Sequence, residues 1–307
     1  MTIINTIGVD VSKACLDVYF TATHTSKSFS NTSVGIAAFL KALAHIASPF
    51  IILEPTGGYE AGLMQKLAGK NIPYARINPY QMRSFARGLG VRAKTDKVDA
   101  KMLALYGSTH NPLAERHLSQ AELDFQRLVD RRRQLIDMVS QEKCRLEKAS
   151  GAMSLEIKEH LEYLKSCLKE KDKQIKLMTS TLPKKKALYD MIVAEPGVGD
   201  QTAFTLLAYM PELGYLDGKK LAALAGVAPM PHESGTMKRE AHIKGGRRYV
   251  RTILYMAALS ATRFNPKYKQ IYRALLNKGK KPKVALTAVM RRLLVVLNAK
   301  ARDILFP

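Results

Sequence analysis

NTIGVDVS, residues 5–12, is an apolar, β-branched run that stops on Asp10, and its reading decides the first third of the chain. Gly8 and Ser12 keep the surroundings of Asp10 small, which leaves room for a cation and a phosphate. ACLDVYFTA (14–22) and the polar SKSFSNTS (26–33) follow as two more strands of a meander. A helix is expected over VGIAAFLKALAHIA (34–47), then a strand at FIILEP (50–55), then a helix starting near Tyr59. PYARINP (73–79) reads as a strand and QMRSFARGL (81–89) as a short helix. After a Gly- and Lys-containing loop, TDKVDAKMLALYG (95–107) resumes helical periodicity, with Thr95 as cap and Asp96 in the first turn.

Three strands, helix, strand, helix, strand and helix is the order of an α/β ribonuclease H-like (RuvC-like) domain, expected over residues 1–112. Four carboxylates occupy telling positions in it. Asp10 and Glu54 stand where strands end, while Asp96 and Asp99 are spaced i, i+3 on one face of a helix. Two unit charges about 4 Å apart repel by roughly 4 kcal/mol at an effective dielectric of 20. Divalent cations relieve such crowding, and an all-oxygen ligand set suits Mg²⁺, with two ions about 3.5–4 Å apart the arrangement for phosphoryl transfer. Taken singly, Asp10 also reads as a turn residue, Glu54 as a partner for Lys or Arg, and Asp96 as a helix-start acid. Asp17, inside the second strand, is expected to face solvent or a neighbouring strand.

Asn111-Pro112 breaks the pattern. From Ser119 to about Ser180 there is no Pro, and Gly151 interrupts a Leu-, Lys-, Glu- and Arg-rich sequence with apolar residues every three or four positions. A pair of long helices turning near residues 149–152 is expected, as a coiled-coil assembly arm over 113–183. Residues 184–307 read as a second, mainly α domain with Gly-rich interruptions.

The 307 residues carry 49 Lys and Arg against 26 Asp and Glu, a formal net charge of +23. Such an excess calls for a polyanion, because cations that neutralise phosphates release condensed counterions. Anionic lipid is the competing partner. No uninterrupted apolar run of about 18 residues and no signal-peptide pattern supports it. Cys15, Cys144 and Cys167 are scattered without metal-binding spacing, as suits a reducing cytoplasm.

In the second domain, IVAEPGVGDQTAFTLLAY (192–209) reads as a helix-hairpin-helix element whose Gly197 and Gly199 expose backbone N–H groups to a phosphate. A Gly-rich turn between packed helices gives the same letters. Further on, Ser234 sits in a Pro-bounded loop and is followed by Lys238, Arg239, Lys244, Arg247, Arg248 and Arg251. Composition alone makes this a solvated basic loop, with Ser234 an ordinary polar residue. Lys238, Arg247, Arg248 and Arg251 are candidates for contact with nucleic acid.

The ordered set IGVDVSK, LEPTGGY, INP, KTDKVDAKMLA, EPGVG, LAGVAPMPHESG and GGRRYVRTILYMAA closely resembles the RuvC-like DEDD transposases of bacterial insertion sequences. That family is numbered one hundred and ten and includes the eleven-eleven subgroup. The resemblance spans nearly the whole chain. It implies an RNA-guided DNA recombinase in which a structured non-coding RNA pairs with donor and target DNA. It also implies that Asp10, Glu54, Asp96 and Asp99 form a Mg²⁺-binding tetrad and that Ser234 is the nucleophile. In the family, the serine of one subunit faces the tetrad of another in a dimer or tetramer. A serine hydroxyl is a weak nucleophile at neutral pH, and no histidine stands at triad-like spacing to activate it. Two other classes remain open on the residues alone. One is a metal-dependent nuclease that cuts branched DNA by water attack; the other is an RNA-binding scaffold whose acids only pair with surplus cations.

Overall fold

The computed structural model describes residues 5–90, 96–234 and 237–307, without the side chains of 96–97 and 231–240. Thr95, expected to cap a helix, lies outside the described residues, as do the side chains of Asp96, Ser234 and Lys238. The chain forms two compact units, Met1–Leu118 and Ser119–Pro307.

In the first unit the meander is β1 (Asn5–Val11), β2 (Cys15–Phe20) and β3 (Thr25–Ser30). It is followed by α1 (Ser33–Leu43), β4 (Pro49–Leu53), α2 (Ala61–Gly69), β5 (Tyr74–Arg76), α3 (Pro79–Gly88) and α4 (Asp96–His110). The sheet order is β3-β2-β1-β4-β5, antiparallel on the meander side and parallel from β1 through β5. Side chains alternate across the sheet. Ile7, Val9, Val11, Leu16, Val18, Ile51 and Leu53 point to one face, where Ile36 and Phe39 of α1 and Leu63 and Leu67 of α2 complete a core. The other face belongs to α3 and α4, with Phe50, Ile52, Met82, Met102 and Leu103 packed together.

That second face works because it is small where α4 crosses it. A Cβ at Gly8 would run into the carbonyl oxygen of Ala100 and the amide nitrogen of Ala104. Farther along α4, a Cβ at Gly107 would lie 2.5 Å from Ile52 Cγ1 and 3.0 Å from Thr6 Cγ2. Helix and sheet backbones therefore meet with almost nothing between them.

The second unit opens with α5 (Gln120–Leu146) and α6 (Gly151–Thr181). Ser119 and Glu122 form a reciprocal capping box at the start of α5. Val129 and Ile175 share one core, while Arg132 pairs with Asp172 and Glu142 with His160, a register that only an antiparallel hairpin gives. The turn falls where the Gly was, at Gly151 with φ +58°. The base of this hairpin is built into a larger core. Phe125, Val129 and Ile175 are buried with Leu188 and Ile192 of α7 (Pro183–Val193), Phe204 of α8 (Asp200–Tyr209), Leu254 of α10 (Arg248–Phe264) and Leu293 of α12 (Pro282–Leu305). The helix pair and the C-terminal helices thus form one unit. The remaining helices are α9 (Gly218–Leu224) and α11 (Pro266–Asn277). A buried polar link ties helix ends together: Glu195 accepts from Asn265 Nδ2 (3.1 Å) and from Lys300 Nζ (2.6 Å).

The segment after α9, expected as a loop, is an antiparallel hairpin of β6 (Pro229–Ser234) and β7 (Met237–Ile243). Pro229 and Pro231 removed the usual strand signature, since proline cannot donate to a ladder. A two-stranded hairpin with an irregular register between Met230 and His232 tolerates them. Among the described residues, no helix is long and apolar enough to cross a membrane.

Gly8→Ala is expected to destabilise the first unit by about 1–3 kcal/mol or more, because the atoms in the way are backbone and cannot rotate aside. A lowered thermal midpoint by circular dichroism, with an unchanged midpoint for Gly69→Ala, checks this. Around Gly69 a Cβ would meet nothing within 4 Å.

Candidate active site and nucleic-acid interface

Register and helix packing put the backbones of three of the four predicted acids at one end of the first unit. Asp10 lies one residue beyond Val9, which is paired in parallel register with Leu53; Glu54 is the residue after Leu53. Both are half-buried, and alternation puts them on the side of Gly8 and Ile52, the face covered by α4. Asp99 is half-buried on α4, next to Ala100, whose backbone touches Gly8. Position 96 is one turn earlier on the Ala100–Ala104 stripe. Its place on the helix is thereby fixed, while its side chain lies outside the described residues.

The loop behind Glu54 is held by two residues with no obvious sequence signature. Buried Glu60 accepts from the backbone N–H of Thr56 (3.1 Å) and of Gly58 (3.0 Å) with one carboxylate oxygen. Gly57 and Gly58 have φ of +63° and +102°, so glycine suits this turn. Asn31 Nδ2 donates both to Ser12 O (2.8 Å) and to Tyr59 O (3.1 Å), tying the segment after Asp10 to the segment after Glu54. A carboxylate in a Gly-Gly-Tyr-Glu sequence and an asparagine at a strand end both look like ordinary loop chemistry until their partners are seen.

Asp17 is the other surprise. It pairs directly opposite Asp10 in the β1–β2 ladder, which places both on one face, and it is half-buried. The Cys15 thiol donates to Asp17 Oδ2 at 3.4 Å, and Cys15 in turn contacts Ser12 Oγ at 3.1 Å. Its neighbour on that face, Tyr19, is buried against Ala100 and Ala104. The acid thus points under α4 rather than to solvent.

The donor set at this end is carboxylate oxygen with no imidazole, the chemistry of a hard divalent cation. Among the described residues no three side chains form a ready-made cation cluster. The fourth acid, at position 96, is not one of those residues. The residue types fit a divalent metal.

In the second unit the predicted residues divide by what their side chains do. Gly197, with φ +90°, is needed for packing: a Cβ there would lie 2.6 Å from Ala261 Cα on α10. Gly199 is exposed, opens α8, and has nothing within 4 Å of its Cβ position. Arg247 is bidentate to Glu212, with Nη1 2.6 Å from Oε2 and Nη2 2.7 Å from Oε1, and also donates to Tyr209 O at 2.6 Å. Arg251 Nη1 donates to Gly245 O at 2.6 Å, bracing the Gly-Gly turn that leads into α10. Arg248, at the start of α10, is exposed. Ser234 ends β6 and pairs in register with Met237. Beneath the base of this hairpin opens a cavity of about 1480 Å³, lined by Ile243, Arg251, Tyr255, Lys283, Arg291 and Arg292 among others.

Half-buried tyrosines brace the same unit. Tyr209 is bonded to Asp130, and burial first, then that carboxylate, push its phenol well above the ordinary range. Tyr189 donates to Asp200 Oδ1 (2.8 Å), and burial followed by that bond raises it to about 12. These groups stay protonated at any working pH, so they serve as donors.

Comparison with known proteins agrees with this layout at both ends of the chain. Residues 7–149 match the DEDD transposase family of IS110 elements, described as "Transposase". Residues 190–273 match the family described as "Transposase IS116/IS110/IS902 family". Two relatives called "Pilin gene-inverting protein", from Moraxella lacunata and Moraxella bovis, are each 28% identical over 308 residues, covering 97% of this chain and 95% of theirs. An "Insertion element IS900 uncharacterized 42 kDa protein" of Mycobacterium paratuberculosis is 33% identical over 119 residues, 37% of this chain and 29% of its own. An acid-bearing α/β unit joined to a basic helical unit, both matched to transposases, defines a DNA transposase/recombinase. The chain belongs to the IS110 family of transposases.

Two substitutions separate fold from site here. Arg247→Ala should cost about 1.5–3 kcal/mol, the worth of charged hydrogen bonds around Glu212, while Arg248→Ala leaves stability unchanged. Chemical denaturation of both variants reads the difference. In the first unit, Glu60→Ala should lower stability by about 1–3 kcal/mol by stranding the Thr56 and Gly58 N–H groups. Faster hydrogen exchange confined to residues 55–60 and their neighbours would be its local signature.

Proposed function

We propose that this chain is an RNA-guided transposase that exchanges DNA strands through serine–DNA covalent intermediates, using Mg²⁺ held by Asp10, Glu54, Asp96 and Asp99. The observation that supports the reading is the placement of Asp10 and Glu54 at adjacent strand ends, on the face that α4 with Asp99 covers, in a member of the IS110 family. The order β3-β2-β1-β4-β5 with α4 across β1 fits a RuvC-like domain.

Bound divalent cations would supply Lewis-acid stabilisation of phosphate charge and lower the pKa of an oxygen nucleophile. The chain's own residues do the rest. Asp10 and Glu54, fixed at adjacent strand ends, and Asp99, fixed on α4, hold carboxylate oxygens in place without reorganisation. The Ser234 hydroxyl oxygen attacks phosphorus, the bond to the 3′ oxygen breaks, and the serine proton ends on that leaving oxygen. A phosphoserine link and a free 3′ hydroxyl result, and reversal on a new 3′ end rejoins the strand. Relatives named for inverting a pilin gene favour exchange over hydrolysis, since an inverted segment must be resealed at both ends.

Ser234 and the carboxylates belong to different compact units. That division suits a site shared between subunits of a dimer or tetramer, and α5 with α6 offers the assembly surface. Guide RNA accounts for the scale of the positive charge, and base pairing then supplies target choice.

The test uses purified protein, donor and target DNA and the element's own non-coding RNA. Asp10→Asn, Glu54→Gln, Asp99→Asn and Ser234→Ala should each reduce recombination to background. Ser234→Ala should also remove the protein–DNA adduct seen on denaturing gels, and chelation should abolish activity that Mg²⁺ restores. Continued DNA cutting by Ser234→Ala would instead identify a water-using nuclease. Recombination without RNA would remove the guide from the reading.

A further inference from the structure

The cavity beneath the β6–β7 hairpin lies wholly within the second unit, walled by α10 and α12. Its volume of about 1480 Å³ exceeds the roughly 300–1,000 Å³ of a small-molecule pocket, so it has room for a segment of polymer. The lining is aliphatic and methionine-bearing, with Ile243 of β7, Met256 of α10, and Val284, Met290 and Val295 of α12. Met256 is 56% exposed there, and Val284 and Val295 are exposed beside it. Grooves of this composition take amphipathic helices. Tyr255 is the single Phe or Tyr among the described lining residues, which leaves few stacking faces for unpaired bases. The rim is cationic: Lys219 of α9 and Arg291 and Arg292 of α12 make no ion pair among the described residues. Asp217, the one acid described in the lining, already accepts from the N–H groups of Lys219 (2.8 Å) and Lys220 (3.0 Å).

A surface of the opposite character lies on the same unit, toward the turn of the α5–α6 hairpin. Between Gly151 and Tyr163, α6 carries Glu156, Glu159 and Glu162 against Lys158 alone, in a chain where Lys and Arg number 49 and Asp and Glu 26. Leu161 and Leu164 are buried, so the other side of α6 holds Leu155, Glu159, Glu162 and Tyr163, at i, i+4, i+7 and i+8. Leu155 and Tyr163 are 62% and 65% exposed. Glu162 is bonded to Lys165 Nζ at 2.6 Å, while Glu156 and Glu159 make no ion pair among the described residues. Leu155 precedes Ile175, the α6 residue in the shared core, by 20 positions of unbroken helix, about 30 Å. Groove and stripe are both uncovered in the single chain, and a continuous helix holds the stripe away from the core that α10 and α12 share. They can therefore meet between two copies.

We propose that the Leu155–Tyr163 face of α6 docks in this groove on a second copy of the chain. Its glutamates meet Lys219, Arg291 and Arg292, and Leu155 and Tyr163 cover Met256 and Val295. Exchange in both directions gives a two-fold, self-complementary dimer. The inference deepens the shared-subunit assembly proposed above.

Sedimentation equilibrium of the full-length protein, without DNA, RNA or metal, reads the association. The wild type should dimerise. Glu156→Lys with Glu159→Lys should weaken the dimer about tenfold or more, and so should Lys219→Glu with Arg292→Glu. The chain carrying all four reversals should regain dimers, which damage to either surface alone would not produce. Leu155→Asp and Met256→Asp should each weaken association as well. These side chains are exposed, so every variant should melt like the parent. A wild type that stays monomeric throughout its soluble range would overturn the proposal. So would dimers untouched by either reversed pair, or four reversals that add instead of compensating. If the groove variants lost affinity for a labelled single-stranded oligonucleotide while dimers persisted, the groove would belong to nucleic acid and the proposal would fail. Asp10→Asn and Ser234→Ala should dimerise like the wild type, so their loss or retention of recombination decides the proposed chemistry separately.

Discussion

The contact on which the first unit depends is backbone against backbone: α4 lies on β1 at Gly8, beneath Ala100 and Ala104. Any side chain at residue 8 would lift the helix away from the strand. Helix–sheet packing normally keeps a layer of side chains between the two, and removing that layer brings the backbones of residues one or two positions away closer together. Asp10 is two residues from Gly8 along β1, and Asp99 is adjacent to Ala100 along α4. The small residues are therefore what allows the segments bearing these acids, on separate elements, to approach each other. The like-charge repulsion that results is held in place by the burial of Ile7, Val9, Ile51 and Leu53 on the opposite face.

Much of this was legible in the sequence, and for identifiable reasons. The period-two pattern of β1 and β4 and the Asp-x-x-Asp spacing of α4 are local signals, so strands, helix and acids could be placed together. The expected α1 ran to residue 47, but the helix ends at Leu43, since Ala44, His45 and Ile46 continue only as turns. The antiparallel hairpin of α5 and α6 was equally plain, because long uninterrupted helical periodicity with one central Gly has few other solutions. Its sharing of a core with the C-terminal helices was not. Phe125 and Ile175 give no local hint that Leu188, Leu254 and Leu293 will surround them.

What escaped the sequence depended on partners far away in the chain. Asp17 is expected from the sequence to face solvent or a neighbouring strand; antiparallel register sets it opposite Asp10, and register is not visible in one strand alone. Glu60 and Asn31 are polar residues in turns, a context in which most such residues face water. Arg247 sits in a basic run that invites a phosphate, and only Glu212, 35 residues earlier, shows that its guanidinium is engaged within the fold. β6 and β7 were hidden by two prolines that a short, irregular hairpin accommodates.

The engaged arginines sharpen the argument about charge. Arg76 is bidentate to Glu115, Arg132 is paired with Asp172, Arg247 with Glu212, and Lys300 with Glu195. Each such pair uses one acid for one base, so pairing cannot reduce an excess of +23. Acids drawn into a carboxylate site are, in addition, withdrawn from that exchange when they hold cations of their own. The surplus is thus left to the outer faces of the helices, where Arg83, Arg87, Arg248 and Lys283 lie exposed. At such positions a solvated charge gains little from another side chain and much from a phosphate backbone, whose counterions it releases. A protein that keeps its strongest ion pairs for the fold and leaves its remaining cations outward has a surface built for nucleic acid.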